Sequence, residues 1–268
     1  MVQFLAMNRI QNKLSEKNLQ ADKAGKLLSI YFTAGYPKLD DTVEILQQLQ
    51  KNGVDMVEIG LPFSDPLADG PTIQESSQLA LKNGMTTEIL FQQLKDVRKT
   101  VSIPLIIMGY FNPILQYGIE DFCKKCAEVG IDGLILPDLP LSEYKEHYHE
   151  IFKKYNLINV FLVTPQTSDD RIRQIDTASD GFIYLVSSSS VTGNSDGFDE
   201  NQENYFSRVA SMQLKNPLIV GFGIKDATTF KQATSKTKGA IIGSAFIKTL
   251  ARDGKSEISN FIASIREV

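Results

Sequence analysis

The stretch Glu58-Ile-Gly-Leu-Pro-Phe-Ser-Asp-Pro-Leu-Ala-Asp-Gly-Pro71 places three carboxylates close together in the chain, at Glu58, Asp65 and Asp69. Glu58 stands near the end of an apolar run made by Val54, Met56, Val57 and Ile59. A carboxyl group in such a run is costly to bury unless it is paired, hydrogen-bonded or protonated. Burial also raises its pKa toward the range where one group serves as both acid and base near neutral pH. Asp65 and Asp69 follow among Pro62, Pro66, Gly70 and Pro71, the composition of a stiff, shaped turn. Taken one at a time they also suit plainer roles, with Asp65 starting a turn, Asp69 leading into a helix and Glu58 forming a structural ion pair.

These groups need a scaffold, and the hydrophobic period supplies one. Short β-branched runs alternate with longer amphipathic ones. Strands are expected at Leu28 to Thr33, Met56 to Gly60, Leu105 to Met108, Gly133 to Leu136, Asn159 to Val163, Gly181 to Val186, Leu218 to Val220 and Ala240 to Ile242. Helices are expected between them, at Asp41 to Lys51, Thr72 to Lys82, Thr87 to Lys99, Ile119 to Val129, Ser142 to Tyr155, Asp169 to Thr177, Asn201 to Gln213, Ala227 to Thr234 and Ser256 to Arg266. Asp40-Asp41, Ser142, Ser168 and Ser256 read as N-caps, and Gly53, Gly84 and Gly130 sit where helices end.

A weak internal repeat supports the count. Asn52-Gly-Val-Asp-Met-Val-Glu-Ile-Gly-Leu-Pro62 resembles Val129-Gly-Ile-Asp-Gly-Leu-Ile-Leu-Pro-Asp-Leu-Pro140. Eight buried strands joined by helices predict an α/β fold of the (β/α)8 barrel type, with an open doubly wound sheet as the alternative. An extra N-terminal helix, Asn8 to Lys17, and an extra helix after the second strand, Pro71 to Gly84, would decorate it. No linker-like stretch divides residues 1–268, so one domain is expected, with residues 1–7 read as an extension outside it. In such a barrel chemistry gathers at the C-terminal strand ends, where Glu58 and its loop fall.

The last two units suggest an anion site. Gly221-Phe-Gly223 follows the seventh strand and Gly243-Ser244 follows the eighth. Barrels that bind phosphorylated substrates use these loops, whose glycines admit backbone N–H groups to the anion beside a helix N-terminus. Gly193, in the loop after the sixth strand, is a candidate to join them.

Composition sets the outer limits. The 268 residues are 42% hydrophobic and 22% charged, with a net charge of −4 and no basic stripe, so no nucleic-acid partner is expected. Apolar runs are strand-sized, and no membrane span is expected. The start, Met1 to Met7, lacks a basic head and is not read as a secretory signal. Cys123 and Cys126 lie far along the chain from His147 and His149, the two histidines. They read as reduced helix thiols, with no metal, in a cytoplasmic protein.

The motifs Tyr31-Phe-Thr-Ala-Gly-Tyr-Pro37, Val57-Glu-Ile-Gly-Leu-Pro-Phe-Ser-Asp-Pro-Leu-Ala-Asp-Gly-Pro-Thr-Ile-Gln74, Met108-Gly-Tyr-Phe-Asn-Pro113, Leu136-Pro-Asp-Leu-Pro140, Gly221-Phe-Gly223 and Ile242-Gly-Ser-Ala245 complete the pattern. With them the chain resembles the α subunits of tryptophan synthase from about Asn8 onward. That resemblance implies retro-aldol cleavage of indole-3-glycerol phosphate to indole and glyceraldehyde 3-phosphate. It implies Glu58 as acid and base, Asp69 at the indole N–H and Tyr184 near the reacting end. Tyr31 and Met108 would line the apolar pocket, and Gly193, Gly223, Gly243 and Ser244 would hold the phosphate.

Thr192 would meet the loop aspartate when a lid closes. Tyr31 stands where well-known members carry phenylalanine. The run Ser187-Ser-Ser-Ser-Val-Thr-Gly193 has Ser188 and Ser190 where many relatives have arginine and glycine before Val-Thr-Gly. The resemblance further implies an α2β2 complex with a β subunit that carries pyridoxal phosphate, with no cofactor on this chain. Pro62, Asp65, Asn112, Pro113 and Pro140 match the partner-facing region. The competing readings are another phosphate-binding barrel enzyme and a chain that acts mainly as an activator of its partner.

Overall fold

The computed structural model describes residues 7–19, 25–67, 69–187 and 198–266. Eight parallel strands close on themselves in chain order. They are β1 (Leu27–Thr33), β2 (Met56–Gly60), β3 (Leu105–Met108), β4 (Gly133–Ile135), β5 (Ile158–Val163), β6 (Ile183–Val186), β7 (Leu218–Gly221) and β8 (Gly239–Ile242). The ring of helices comprises α1 (Arg9–Leu19), α2 (Thr42–Lys51), α3 (Pro71–Lys82), α4 (Thr87–Leu94), α5 (Phe111–Tyr117), α6 (Ile119–Val129) and α7 (Leu141–Glu143). It continues with α8 (His149–Lys154), α9 (Asp169–Ala178), α10 (Glu200–Ser211), α11 (Ala227–Thr234), α12 (Ser244–Asp253) and α13 (Ile258–Arg266). The expected (β/α)8 barrel with its two additional helices is what forms.

Alternation along each strand divides two apolar regions. Outward residues such as Val57, Ile59, Leu105 and Ile107 pack under the helices, and inward residues such as Leu27, Met56, Ile106 and Ile135 fill the barrel. Helix α1 is more than a decoration, because Ile10 and Leu14 belong to the interior cluster and seal its N-terminal end. An added Cβ at Gly133 would stand 2.9 Å from Ile10 Cδ1, so a glycine is what lets α1 sit this deep.

The internal repeat has a physical basis. Asp55 donates its N–H to Leu28 O at 2.9 Å and accepts the Leu28 N–H on its carboxylate at 2.9 Å. Asp132 makes the same clasp on Leu105, at 2.8 Å in each direction. Each carboxylate is also paired, Asp55 with Arg266 at 2.7 Å and Asp132 with Arg98 at 2.6 Å and Arg9 at 2.8 Å. The repeat therefore records a device that fixes a strand against its neighbour at the barrel floor. The turns before it need a left-handed residue, and Gly53 and Gly130 supply φ of 81° and 83°.

Several expected details differ. Ser168 does cap α9, accepting from Arg171 N–H, but Asp41, Ser142 and Ser256 do not cap their helices. Asp41 closes the 3-10 turn before α2 by accepting the Lys38 N–H and binds Lys255. Pro140 occupies the position before α7, leaving Ser142 inside the first turn, and Ser256 lies in the 3-10 turn Lys255–Glu257 ahead of α13. The helix expected over Thr87 to Lys99 breaks after Leu94 and resumes as a 3-10 turn, Val97–Lys99. Helices α5 and α12 are additional to the elements the hydrophobic period predicts.

Asp132→Ala leaves the Arg98 guanidinium, only 18% exposed, without its carboxylate and the Leu105 N–H without its acceptor. Urea unfolding is expected to show a loss of about 3 kcal/mol, and a smaller loss for Asp132→Asn, which keeps an acceptor.

Candidate active site

Glu58 is the middle residue of β2 and shares its inward face with Met56. It is fully buried. Ser29 on β1 donates to Oε1 at 3.4 Å, and Oε2 has no partner among the described residues. Burial pushes its pKa up to about 8, against the downward pull of the Ser29 hydrogen bond. At neutral pH this carboxyl group therefore carries its proton.

Asp69 hangs over the same mouth from the loop after β2. Tyr110 donates to its Oδ2 at 3.3 Å. Burial raises Asp69 to about 6, with the Tyr110 hydrogen bond opposing the rise. At pH 7 it is mainly ionised, so one mouth holds a neutral acid and an anionic carboxylate. The loop is braced for the purpose. Pro62 and Pro66 are buried, Gln74 on α3 donates to Asp69 O at 2.9 Å, and Pro71 opens α3 in its first turn.

Tyr31 and Tyr184 frame this mouth from β1 and β6. Tyr31 is paired in register with Glu58, and its hydroxyl lies where a Cβ on Gly60 would fall, at 2.2 Å. Tyr184 uses Gly221 in the same way, with its hydroxyl 1.9 Å from the position of an added Cβ. Burial holds both phenols well above the ordinary tyrosine range, and the charges of Glu58 and Asp69 add to it. Tyr31, Asp69, Met108 and Tyr110 line a common pocket with Leu61 and Phe63.

The candidate anion site follows β7 and β8, where an added Cβ on Gly243 would stand 3.4 Å from the Tyr31 ring. Phe222 and Gly223 have φ of 69° and 74°, which turns their backbone at the barrel rim. Ser187 holds that turn by donating to Phe222 O at 2.8 Å. Helix α12 begins at Ser244 directly after Gly243, with no side chain capping its first turn, which leaves that end open to an anion. Thr192 and Gly193, like Ser188 and Ser190, lie outside the described residues.

Of the remaining candidates, Asp65 is exposed beside Ser64, Asn112 and Pro113 open α5, and Pro140 is exposed before α7. Asp138 anchors α5 by accepting the Phe111 N–H at 2.9 and 3.0 Å. Cys123 and Cys126 are buried and free, and burial raises Cys123 to about 12. Three residues that touch the candidates are not marked out by the sequence. Ser29 lies two before Tyr31 on β1, and only the inward register of that strand marks it out. Tyr110 and Phe222 sat inside motifs already noted, Phe222 with its ring centroid 6.1 Å from that of Tyr184.

A second groove, of about 610 Å³, lies outside the barrel between α10 and α11 and is lined by Phe206, Lys231 and Lys236 among others. It is larger than the mouth pocket, but it has no buried carboxyl group among its lining residues. No described helix is long and apolar enough to cross a membrane.

Comparison with known proteins places the chain among described relatives. A family profile described as "Tryptophan synthase alpha chain" matches residues 17–267. The tryptophan synthase alpha chain of Flavobacterium psychrophilum is 68% identical over 259 residues, covering 97% of this chain and 100% of the relative. That of Flavobacterium johnsoniae is 66% identical over 260 residues, with 97% and 100% covered. The crystal structure of tryptophan synthase subunit alpha from Legionella pneumophila superposes with a TM-score of 0.86 at 33% identity, covering 98% of this chain and 100% of that one. A chain of Mycobacterium tuberculosis tryptophan synthase in an aminoacrylate-bound form gives 0.84 at 25% identity, with 97% and 98% covered.

The raised pKa of Glu58 has a consequence for stability. Its folded form favours the proton, so its contribution is full below the ordinary value of 4.5 and is lost as pH rises through about 8. Glu58→Gln is therefore expected to gain about 2–5 kcal/mol relative to the parent chain between pH 4 and pH 9, measured by urea unfolding at each pH.

Proposed function

The chain belongs to the tryptophan synthase alpha chain family, a lyase with the alpha subunit's role in tryptophan biosynthesis, and from that premise we propose how its residues carry out the alpha reaction. The substrate is indole-3-glycerol phosphate. The observation that carries the reading is a fully buried carboxyl group, Glu58, and a second carboxyl group, Asp69, both close enough to Tyr31 and Tyr184 to act on their hydroxyls.

Cleavage of the carbon–carbon bond needs a proton delivered to the indole ring carbon and a proton removed from the adjacent side-chain hydroxyl. Glu58 starts as the acid and gives its proton to the ring carbon. The positive charge that develops on the indole nitrogen is met by the Asp69 carboxylate, which is already ionised and already held. Glu58, now a carboxylate, takes the hydroxyl proton as the bonding pair moves into the ring and the carbonyl of glyceraldehyde 3-phosphate forms. It ends in the state in which it began, so the cycle draws no proton from solvent.

Tyr31, Met108 and Tyr184 hold the ring, with Tyr184 toward the reacting carbon. The phosphate is received by Gly223, Gly243, Ser244 and the open end of α12, with Gly193 completing the cradle and Thr192 meeting the loop aspartate on closure. Since Glu58 and Asp69 cover the proton and charge movements, we assign no cofactor to this chain.

We place a β subunit against the face formed by the loop Pro62 to Gly70, Asn112, Pro113 and Pro140, with Asp65 at its edge. Leu67 and Leu115, 92% and 48% exposed, give that face apolar contacts of the kind a partner covers. The pyridoxal phosphate of the α2β2 complex belongs to that partner, and the single-domain chain works in the cytoplasm.

Glu58→Gln should lower kcat for indole release by at least about a hundredfold, and Asp69→Asn by about 100- to 1000-fold, with and without a β subunit. Since the cycle starts from the acid, kcat/KM of the parent chain should fall as pH rises through about 8. Undiminished indole release by Glu58→Gln would overturn the assignment.

A further inference from the structure

Ser29 is a hydroxyl in an apolar chamber. It is fully buried on β1, and its register neighbours on the flanking strands, Met56 and Ile241, both belong to the apolar interior of the barrel. A buried hydroxyl needs a partner. Here it donates to Glu58 Oε1 at 3.4 Å, a long contact for an O–H···O bond. The second carboxyl oxygen, Oε2, is buried with no partner among the described residues.

We propose that Ser29 is a positioning residue that divides the Glu58 carboxyl into a tethered oxygen and a working oxygen. The inference rests on the acid and base role given to Glu58 above. In the neutral acid the oxygen that accepts from Ser29 is the carbonyl oxygen, so the proton resides on Oε2, the oxygen left free to deliver it. When Glu58 becomes a carboxylate, the same hydroxyl donates to the anion and supports it. Without the hydroxyl the two oxygens become equivalent, the carboxyl turns freely, and the acid proton is misdirected part of the time.

The other ionisable groups around this carboxyl leave its titration legible. Tyr31 from β1 and Tyr184 from β6 are held neutral by burial throughout the useful pH range. Asp69, on the loop after β2, titrates lower, at about 6.

The test compares Ser29→Thr with Ser29→Val, which share one shape and differ in the hydroxyl, with Ser29→Ala as a smaller control. Two readouts are taken. One is kcat and KM for indole release across pH. The other is direct titration of Glu58 by carbon NMR of glutamate-labelled protein, assigned with Glu58→Gln.

Ser29→Val and Ser29→Ala are expected to raise the Glu58 pKa by about 0.5–1 unit, because they remove its one donor among the described residues. They should lower kcat by about tenfold with KM within about twofold, while Ser29→Thr stays near the parent chain. An unchanged Glu58 titration in Ser29→Val overturns the proposal, and so does equal loss in Val and Thr, which would mark a packing role alone. The NMR arm separates this failure from that of the mechanism, since it reads the Ser29 link even if Glu58→Gln proves active.

Discussion

A carboxyl group with no cation beside it among the described residues, held inside a closed apolar barrel, is the constraint on which the rest of this molecule turns. Glu58 is fully buried, and the groups that act on it are burial and one serine hydroxyl. A full charge in that position would cost several kcal/mol, so the group keeps its proton. That outcome requires water to be kept out from below as well as from the sides. The closed sheet gives the sides, and Ile10 and Leu14 of α1 give the floor. Packing far from the mouth thus sets the protonation state of Glu58.

Asp69 shows what a different mounting does to the same chemical group. It is carried by a loop and not by a strand, it is partly exposed, and Tyr110 donates to it. Its pKa rises only to about 6 where Glu58 rises to about 8. Neutral pH falls between the two values, so environment alone gives two carboxyl groups opposite states. The loop can do this only if it holds still, which explains the buried Pro66 and the bond from Gln74 back to the loop. The tyrosines are positioned by absence, since Gly60 and Gly221 clear the space their hydroxyls occupy.

The eight strands were legible because a strand buried on both faces is a continuous apolar run, and little else in a chain of this kind imitates it. Helix α5 escaped notice because it is seven residues long and carries Pro113 in its first turn, where proline is tolerated but reads as a breaker. Helix α12 was hidden by its own start, since Gly243-Ser244 drew the eye as an anion loop although Phe246, Ile247 and Leu250 keep helical spacing. The three failed caps share a cause. A polar residue before an apolar run signals an N-cap only if the chain enters the helix directly, and here 3-10 turns and Pro140 intervene. Glu58 and Asp69 were named from the chain, whereas Ser29 was not, because a lone serine in a strand says nothing until the inward face is known.

The repeat carries this logic furthest. Asp55 and Asp132 open equivalent segments and make the same clasp on the strand before them, Asp55 on Leu28 and Asp132 on Leu105. Three residues on, both chains point inward from the middle or end of a strand, and there the copies part. One has Glu58 and the other Ile135, each fully buried in the same interior. The floor of the barrel tolerates little difference, because its clasps fix strand against strand. The inward slot above it accepts either an isoleucine, which only fills space, or a glutamate, which keeps its proton there, the state from which the proposed mechanism starts. In the proposed mechanism, one side chain in that slot separates a unit of stability from a unit of chemistry.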